Sequence, residues 1–278
     1  MLKKAYLEIT NECNLGCTFC HGTKRPVRYM SVEEFTRAAS ELRRVSDYIY
    51  FHLMGEPLLH PCLGELMSIA ESLGFRIIIT TNGTLLHKRG DLLLSSPALH
   101  KVSISLHAYE ANSMDMSIRE YLGSCLDFCR AAADRSVISV MRLWNVGGEN
   151  SENGAILSIM KEYFPEEWQV CRNGYKLSDR IFLEWGDRFE WPDEDAEVCS
   201  DCHTCYGLRD QVGVLSDGTV VPCCLDADGV IALGNIFHES IEDILAKPRA
   251  VALKRSFETR KIKEPLCLRC GFATTRLK

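Results

Sequence analysis

The sequence has no long hydrophobic run. No stretch of apolar residues approaches the length of about 20 that a helix needs to cross a bilayer. The N-terminal segment carries Lys3 and Lys4 but reaches Glu8 too early for the apolar core of a signal peptide. We therefore expect neither a membrane span nor export, and the sequence predicts a cytoplasmic protein.

The sequence also lacks an excess of basic residues. Its formal net charge of −6 argues against a wide surface that follows phosphates, because nucleic-acid-binding domains usually carry a basic field. Basic residues gather near the C-terminus, but two carboxylates lie among them: Lys254, Arg255, Glu258, Arg260, Lys261, Lys263 and Glu264. Mixed charges of this kind are typical of a solvated helix face, so no nucleic-acid partner is expected.

The missing export signal makes the 14 cysteines informative. In a secreted chain they would indicate disulfides, but in a chain that is not exported metal or cluster ligation explains them better. A chain of 278 residues is long enough to bury a hydrophobic core without disulfides.

Three of these cysteines stand close together near the start of the chain. Cys13, Cys17 and Cys20 follow an apolar run with the spacing C-x3-C-x2-C. Three thiolates on one loop can bind three irons of a [4Fe-4S] cluster and leave the fourth iron without a protein ligand. The alternative is a zinc site, but zinc needs four ligands, and His21, directly after Cys20, does not suit a tetrahedral pattern.

This motif resembles the signature of the radical S-adenosylmethionine (SAM) superfamily, including Tyr6 before it and Phe19 inside it. The resemblance implies that Cys13, Cys17 and Cys20 bind a catalytic [4Fe-4S] cluster whose open iron takes the amino and carboxylate groups of SAM. Reduction by a donor such as flavodoxin or ferredoxin would then cleave SAM to a 5′-deoxyadenosyl radical.

The first 192 residues alternate between strand and helix patterns. Strand patterns are found at 5–10, 48–53, 75–80, 101–106, 137–143 and 180–185, and helix patterns at 31–45, 61–74, 85–94, 118–133 and 155–163. Ser31 followed by Glu34 predicts a capping box at the first helix. Six such units favour a parallel sheet with right-handed crossovers, and hence an α/β partial (β/α)6 TIM-like barrel. The resemblance implies the same fold, with reactive groups at the carboxyl ends of the strands.

Several polar motifs fall at those strand ends. The resemblance implies that Gly55, Glu56 and Pro57 hold the SAM amino group through backbone carbonyls. It also implies that Ser105, which shares a strand face with Ser103 and His107, lies near the SAM ribose. We further predict cofactor contacts for Phe19, Asn82 and Arg142, since a guanidinium can bind the SAM carboxylate in a bidentate manner. The alternatives are an ordinary turn, structural serines and an ion pair of Arg142 across the barrel mouth.

A second group of cysteines lies in the predicted second domain, residues 193–278. A hairpin signal at Asp217-Gly218 stands between two of them. The group resembles the Twitch extension of radical SAM enzymes, a shortened SPASM domain, and the resemblance implies that one auxiliary [4Fe-4S] cluster is bound by Cys205, Cys223, Cys267 and Cys270. The eight residues after Cys270 (278 − 270 = 8) contain no cysteine, so the longer SPASM ligand run is not expected. Four thiolates would close this cluster, which predicts electron transfer or structural support.

Zinc is the alternative at this second group. Cys202, Cys205, Cys267 and Cys270 form two C-x2-C pairs that suit a structural zinc ion. Cys199, Cys202 and Cys224 are otherwise left without a role. Cys125 and Cys129 lie one helical turn apart and are predicted to be core residues.

The predicted function is hydrogen abstraction from a small polar substrate. The outcome would be an oxidation or a C–N or C–C lyase reaction, similar to an amino-cyclitol dehydrogenase or a queuine lyase. Candidate substrate contacts are polar or aromatic residues at strand ends and at the domain junction: Tyr6, Glu8, Thr10, His52, Glu184, Tyr206 and Arg209. The alternatives are a peptide-modifying SPASM-type maturase and a non-catalytic zinc or iron–sulfur module.

Overall fold

A mixed β-sheet forms the centre of the molecule. The computed structural model describes residues 1–275, and within them one sheet contains 11 strands. The strands are β1 (Lys4–Leu7), β2 (Tyr48–Tyr50), β3 (Arg76–Thr81), β4 (Leu99–Ser105), β5 (Ile138–Val146), β6 (Gln169–Cys171), β7 (Gly174–Ser178), β8 (Ile181–Asp187), β9 (Gln211–Val214), β10 (Thr219–Val221) and β11 (Gly234–Asn235). Their order in the sheet is β11-β10-β9-β1-β2-β3-β4-β5-β8-β7-β6.

Strands β1, β2, β3, β4, β5 and β8 run parallel and are the six predicted strands. The helices are α1 (Val32–Arg43), α2 (Leu63–Ser72), α3 (Leu86–Leu94), α4 (Ile118–Asp134), α5 (Asn153–Tyr163), α6 (Ile241–Ala246), α7 (Pro248–Thr259), α8 (Pro265–Leu268) and α9 (Gly271–Thr274). The predicted α/β partial barrel with a C-terminal hairpin and helices is confirmed. No helix in residues 1–275 is both long enough and apolar enough to cross a membrane.

Local signals explain where α1 and α2 begin. Ser31 caps α1, its side chain accepting from the Glu34 N–H while Glu34 bonds back to the Ser31 backbone, as the capping box predicts. Helix α2 begins at Leu63, two residues after the predicted Pro61, because a short 3-10 helix at Pro57–Leu59 comes first.

The hairpin β6–β7 was not predicted. Its two strands are antiparallel and stand between α5 and β8, at the edge of the sheet. Every residue of β6 is exposed, so it has no apolar face from which alternation could be recognised.

The C-terminal part of the chain extends the barrel sheet. Strand β9 pairs in parallel with β1, with Lys4 opposite Gln211 and Leu7 opposite Val214. Strand β10 returns antiparallel to β9 after the predicted turn at Gly218, where φ is +85°. Residues on both sides of the predicted boundary after residue 192 therefore belong to one hydrogen-bonded sheet.

A buried ion pair joins these parts. The Glu8 carboxylate, fully buried after β1, accepts two hydrogen bonds of 2.8 Å from one terminal nitrogen of Arg25. It also accepts from the Met54 N–H after β2 (3.2 Å) and from the Ser216 N–H in the C-terminal hairpin (3.1 Å). Arg25 donates in addition to the Ala227 carbonyl (2.9 Å). One carboxylate thus connects the cysteine loop, the β2 end and the C-terminal part.

We expect Glu8→Gln to destabilise the protein strongly, because it leaves the Arg25 guanidinium largely buried without its counter-charge. Breaking a buried pair in this way costs about 3 kcal/mol. The matched control is Glu162→Gln, which removes an exposed carboxylate from Arg119 and should change the midpoint of thermal unfolding little. Equal midpoints for the two variants in an anaerobic thermal melt would contradict this role.

Candidate active site

One cavity of about 560 Å³ lies inside the curved sheet and against the C-terminal part. Side chains of β1 to β5 line one side of it, and residues 188–206 and 223–273 contribute the other. Aromatic residues in contact with one another are part of its lining: the rings of Phe189 and Phe272 lie 5.0 Å apart, and Trp191 donates to the Phe19 carbonyl (3.1 Å). The cavity therefore joins the cysteine loop to the C-terminal part.

The thiols of Cys13, Cys17 and Cys20 each receive an N–H hydrogen bond. Asn82 donates to Cys13 Sγ (3.9 Å), Asn112 to Cys17 Sγ (3.1 Å) and the Gly22 N–H to Cys20 Sγ (3.4 Å). In the described part of the chain no three His, Cys, Asp or Glu side chains lie close enough together to hold a single metal ion. The fit to a cluster therefore rests on the donor set, which offers three thiols from one loop, each with the N–H donor that stabilises a cluster-bound thiolate.

The Gly-Glu-Pro turn packs directly on the cysteine loop. Gly55 has φ of +75°, and a Cβ there would lie 2.5 Å from the Thr10 carbonyl oxygen and 2.7 Å from that of Glu12. The Glu56 N–H donates to the same Glu12 oxygen (2.7 Å). Glycine is therefore required at position 55 both for the backbone conformation and for the close approach.

Glu56 extends this connection to the end of β3. Its buried carboxylate accepts from the N–H groups of Asn82 (2.7 Å) and Leu58 (3.1 Å), while burial raises its pKa to about 7. The Asn82 side chain then reaches the cysteine loop by donating to Asn14 Oδ1 (3.0 Å). Glu56 and Asn82 thus position the loop, and their predicted contacts with SAM remain predictions.

Asn112 is a site residue that sequence reasoning missed. Besides its bond to Cys17, it accepts from the Gly16 N–H (3.0 Å) and donates to the Ala108 carbonyl (2.7 Å). It lies in an irregular segment between β4 and α4, and a single asparagine there carries no motif. Only the fold brings it to the cysteine loop.

Phe19, Ser105 and His107 lie together where the cysteine loop meets the cavity. The Phe19 ring is 4.6 Å from the His107 ring, and His107 Nδ1 lies 3.0 Å from the Arg142 carbonyl oxygen. Burial lowers the pKa of His107 to about 4, so the ring is neutral near pH 7. The predicted cofactor contacts Phe19 and Ser105 therefore share one end of the cavity.

Arg142 forms an ion pair with Glu184. An ion pair of Arg142 was the alternative to a SAM contact in the sequence analysis. The side chains of Arg142 and Glu184, on the neighbouring strands β5 and β8, lie 3.6 Å apart, and the guanidinium stacks over Trp144 at 4.6 Å. Arg142 and Trp144 line the cavity, whereas Glu184 reaches it through Arg142. Contact between Arg142 and the SAM carboxylate remains a prediction.

The cavity brings together some of the predicted substrate residues. Tyr6, His52 and Tyr206 line it, with the ring of His52 between those of Tyr6 (5.5 Å) and Tyr50 (6.0 Å). Burial and the charge of Arg142 lower the pKa of His52 to about 3. His52 is therefore a neutral side chain in the cavity wall.

Four of the predicted substrate residues lie outside the cavity lining, and their contacts with substrate remain predictions: Glu8, Thr10, Glu184 and Arg209. Glu8 lies outside the cavity lining, because its carboxylate is used by Arg25 and two backbone N–H groups. Thr10 donates to the Arg28 carbonyl (2.9 Å). Arg209 stacks on Tyr206 at 4.7 Å and supports that ring from behind the cavity lining.

Cys205, Cys223, Cys267 and Cys270 line the C-terminal side of the same cavity. Burial and the neighbouring thiols raise the pKa values of Cys223, Cys267 and Cys270, that of Cys270 to about 11. The Gly207 N–H donates to Cys205 Sγ (3.3 Å). Four thiols close enough to influence one another suit a cluster closed by four protein ligands, and their ligation remains a prediction.

The remaining cysteines occupy different surroundings. Cys199 and Cys202 are exposed and lie outside the cavity lining, so the zinc arrangement that needs Cys202 is not assembled. Cys224 lines the cavity and is hydrogen-bonded to the Tyr6 hydroxyl. Cys125 and Cys129 are fully buried in α4, as core residues would be.

These features define a class of enzyme, a partial barrel with an open cysteine loop and a second cysteine group that lines one cavity together with Phe19 of that loop. The comparison with known families agrees. The model described as "Radical SAM superfamily" matches residues 7–157, and the SPASM model, described as "Iron-sulfur cluster-binding domain", matches residues 205–271. The chain belongs to the radical SAM superfamily and carries a SPASM-type domain whose range contains all four predicted ligands. Its cofactors are therefore [4Fe-4S] clusters and SAM.

Curated relatives differ in their printed activities. A probable GTP 3′,8-cyclase of Methanothermobacter marburgensis is 24% identical over 81% of this chain and 85% of its own length. An AdoMet-dependent heme synthase of Oleidesulfovibrio alaskensis is 25% identical over 63% of this chain, which spans only 44% of that protein. The subtilosin biosynthesis protein AlbA of Bacillus subtilis is 24% identical over 96% of this chain and 66% of its own length.

Solved structures share the fold. The crystal structure of BtrN in complex with AdoMet and 2-DOIA superposes with a TM-score of 0.63 at 20% identity, covering 97% of this chain and 93% of BtrN. The structure of anSMEcpe with bound AdoMet gives a TM-score of 0.61 at 16% identity, covering 97% and 88%. At these identities the likeness establishes the fold alone.

We expect Gly55→Ala to disturb the cysteine loop. The added methyl group would meet two carbonyl oxygens, in addition to the cost of about 1 kcal/mol for a left-handed alanine. The control is Gly147→Ala, where φ is +84° but no atom lies within 4 Å of the added carbon. Iron bound per chain and the thermal midpoint should fall clearly further for Gly55→Ala, and equal losses would contradict the steric account.

We expect Asn112→Leu to lower the reduction potential of the first cluster. The change removes an N–H donor from the Cys17 sulfur, and hydrogen bonds to sulfur stabilise the reduced, more negative cluster. Potentiometric titration followed by electron paramagnetic resonance measures the shift. Asn173→Leu, which changes an exposed asparagine between β6 and β7 at the far edge of the sheet, is the control and should leave the potential unchanged. An unchanged potential in Asn112→Leu would show that its bond to Cys17 is unimportant.

Proposed function

We propose that this protein uses SAM-derived radical chemistry on a small polar molecule bound in the 560 Å³ cavity. The supporting observation is that the cavity lining contains Phe19 of the first cysteine loop together with the four C-terminal cysteines. Its volume falls in the range of about 300–1,000 Å³ that is usual for small-molecule sites.

The bound cofactors would supply a 5′-deoxyadenosyl radical and, in the auxiliary cluster, an acceptor for one electron. The chain's own residues bind the substrate, exclude water and manage protons. The aromatic side chains Phe189, Trp191 and Phe272 in the cavity lining leave less room for water beside a bound substrate. This exclusion protects a reactive intermediate from side reactions.

His52 offers the substrate a neutral ring. Burial and the charge of Arg142 keep the ring neutral, and within residues 1–275 its Nδ1 atom is buried without a hydrogen-bond partner. It is therefore suited to a hydrogen bond with the substrate, whereas a pKa of about 3 makes it a weak base. A substrate that loses a hydrogen atom to the radical, then a proton and an electron, is oxidised by two electrons. We propose an oxidation of this kind, with fragmentation of the substrate as the lyase alternative.

A peptide substrate is the second candidate. It is favoured by the similarity to AlbA over 96% of this chain and by the fold shared with SuiB of Streptococcus suis, solved with the precursor peptide SuiA at a TM-score of 0.52. The size of the cavity favours the small molecule. An electron donor such as flavodoxin or ferredoxin is part of either proposal.

Cysteine variants test the separate roles of the two groups. We expect wild-type protein, reconstituted without oxygen, to bind about eight irons per chain and to form 5′-deoxyadenosine from SAM. Cys17→Ala should abolish this cleavage, whereas Cys267→Ala should keep some uncoupled cleavage. Cys171→Ala, an exposed cysteine outside the cavity, is the control and should behave as wild type.

Two outcomes would contradict the proposal. Bound zinc without SAM cleavage in the wild type would support a non-catalytic module. Equal loss of cleavage in Cys17→Ala and Cys267→Ala would contradict separate roles for the two cysteine groups.

A further inference from the structure

Two basic side chains meet inside the cavity. Lys101 on β4 and Arg142 on β5 both line it, and in the register of the two strands Lys101 lies opposite Ile138 and Ser105 opposite Arg142. They lie close enough that the charge of Arg142, together with burial, lowers the pKa of Lys101 to about 8. At neutral pH both side chains are therefore cationic and share one region of the cavity wall.

The charges in this region are not balanced. Glu184, 3.6 Å from Arg142, is the carboxylate that faces the pair. Of the other acidic residues in the cavity lining, Asp210 pairs with Lys3 (3.3 Å), and Asp226 accepts from the N–H groups of Val230 (2.9 Å) and Ile231 (2.8 Å). Among the described residues, the Lys101 ammonium has no hydrogen bond or ion pair. The charge of Lys101 is left without a carboxylate partner in the cavity wall, which is costly where the side chain is buried unless a ligand compensates it.

Unsatisfied donors surround the two cations. Within residues 1–275, the buried atoms Arg142 Nε, Trp144 Nε1 and Ser103 Oγ have no hydrogen-bond partner, and all three residues line the cavity. The first two nitrogens can only donate, so they require an acceptor on whatever binds there. A cationic pair with donor-only neighbours is complementary to an anionic oxygen group.

We propose that Lys101 and Arg142, with Ser103 and Trp144, form an anion subsite that binds a carboxylate or phosphate group of the substrate. This inference rests on the proposed function in taking the cavity as the substrate site. It narrows the substrate class to small molecules that carry such a group. It also assigns Arg142 to the substrate, in place of the predicted contact with SAM.

The reconstituted holoenzyme with SAM bound can be titrated calorimetrically with inorganic phosphate and, separately, with malonate. Saturating SAM occupies its own carboxylate site, so the remaining binding reports the proposed subsite. We expect one equivalent of at least one anion to bind the wild type, with a dissociation constant of about 1 mM or below. Preference for phosphate would indicate a phosphorylated substrate, and preference for malonate a carboxylate-bearing one.

Lys101→Met is the decisive variant, since it keeps the length of the side chain and removes the charge. Loss of a charge-assisted hydrogen bond should weaken anion binding at least tenfold. Lys88→Met, which removes an exposed lysine from α3, is the matched control and should bind as the wild type does. Iron bound per chain and the thermal midpoint of Lys101→Met should match those of the wild type, which shows that the variant is folded and loaded.

The two proposals fail in different ways. Absence of binding for both anions at about 10 mM, or equal binding by Lys101→Met and the wild type, would overturn the anion subsite and leave the radical SAM assignment intact. Loss of binding in Arg142→Lys with unchanged binding in Lys101→Met would remove Lys101 from the site and overturn the paired subsite as well. Anion binding by a wild type that cannot cleave SAM would overturn the proposed function while retaining the subsite.

Discussion

The buried pair of Glu8 and Arg25 is the constraint on which the arrangement of the site depends. The Glu8 carboxylate accepts four hydrogen bonds, two from Arg25 and one each from the Met54 and Ser216 N–H groups. Those partners come from the segment after the cysteine loop, the turn that begins the Gly-Glu-Pro motif, and the C-terminal hairpin. An ionised carboxylate out of water tolerates few alternative geometries, so the pair fixes three segments against β1.

The functional geometry follows from that arrangement. Gly55 lies against the backbone of the cysteine loop, and Glu56 and Asn82 extend the contact to β3, so the loop is held from two strands. The hairpin, fixed on the other side of β1, places the second cysteine group across the cavity from Phe19. The cavity between them contains neutral His52 and the cationic pair of Lys101 and Arg142. A polar, anionic molecule held there would lie between the two cysteine groups.

The features that could be predicted from the sequence are those encoded by short local patterns. The spacing of Cys13, Cys17 and Cys20, the capping box at Ser31 and the turn at Gly218 are encoded within a few residues, and the family and fold predicted from such signals are confirmed. The edge strand β6 lacked an apolar pattern. Asn112 and Cys17 are distant in sequence, so only the packed structure shows that Asn112 supports the loop. Nothing in the sequence links Glu8 to Arg25, so only the structure shows that the Glu8 carboxylate is occupied by Arg25.

The pairing of β9 with β1 makes the radical SAM segment and the SPASM segment parts of one hydrogen-bonded sheet. Exchange of the C-terminal segment between relatives would alter the edge of the barrel, one wall of the reaction chamber and the second cysteine group in a single event. Substrate choice and the acceptance of electrons are therefore expected to diverge together in evolution, while the loop that binds SAM stays constant.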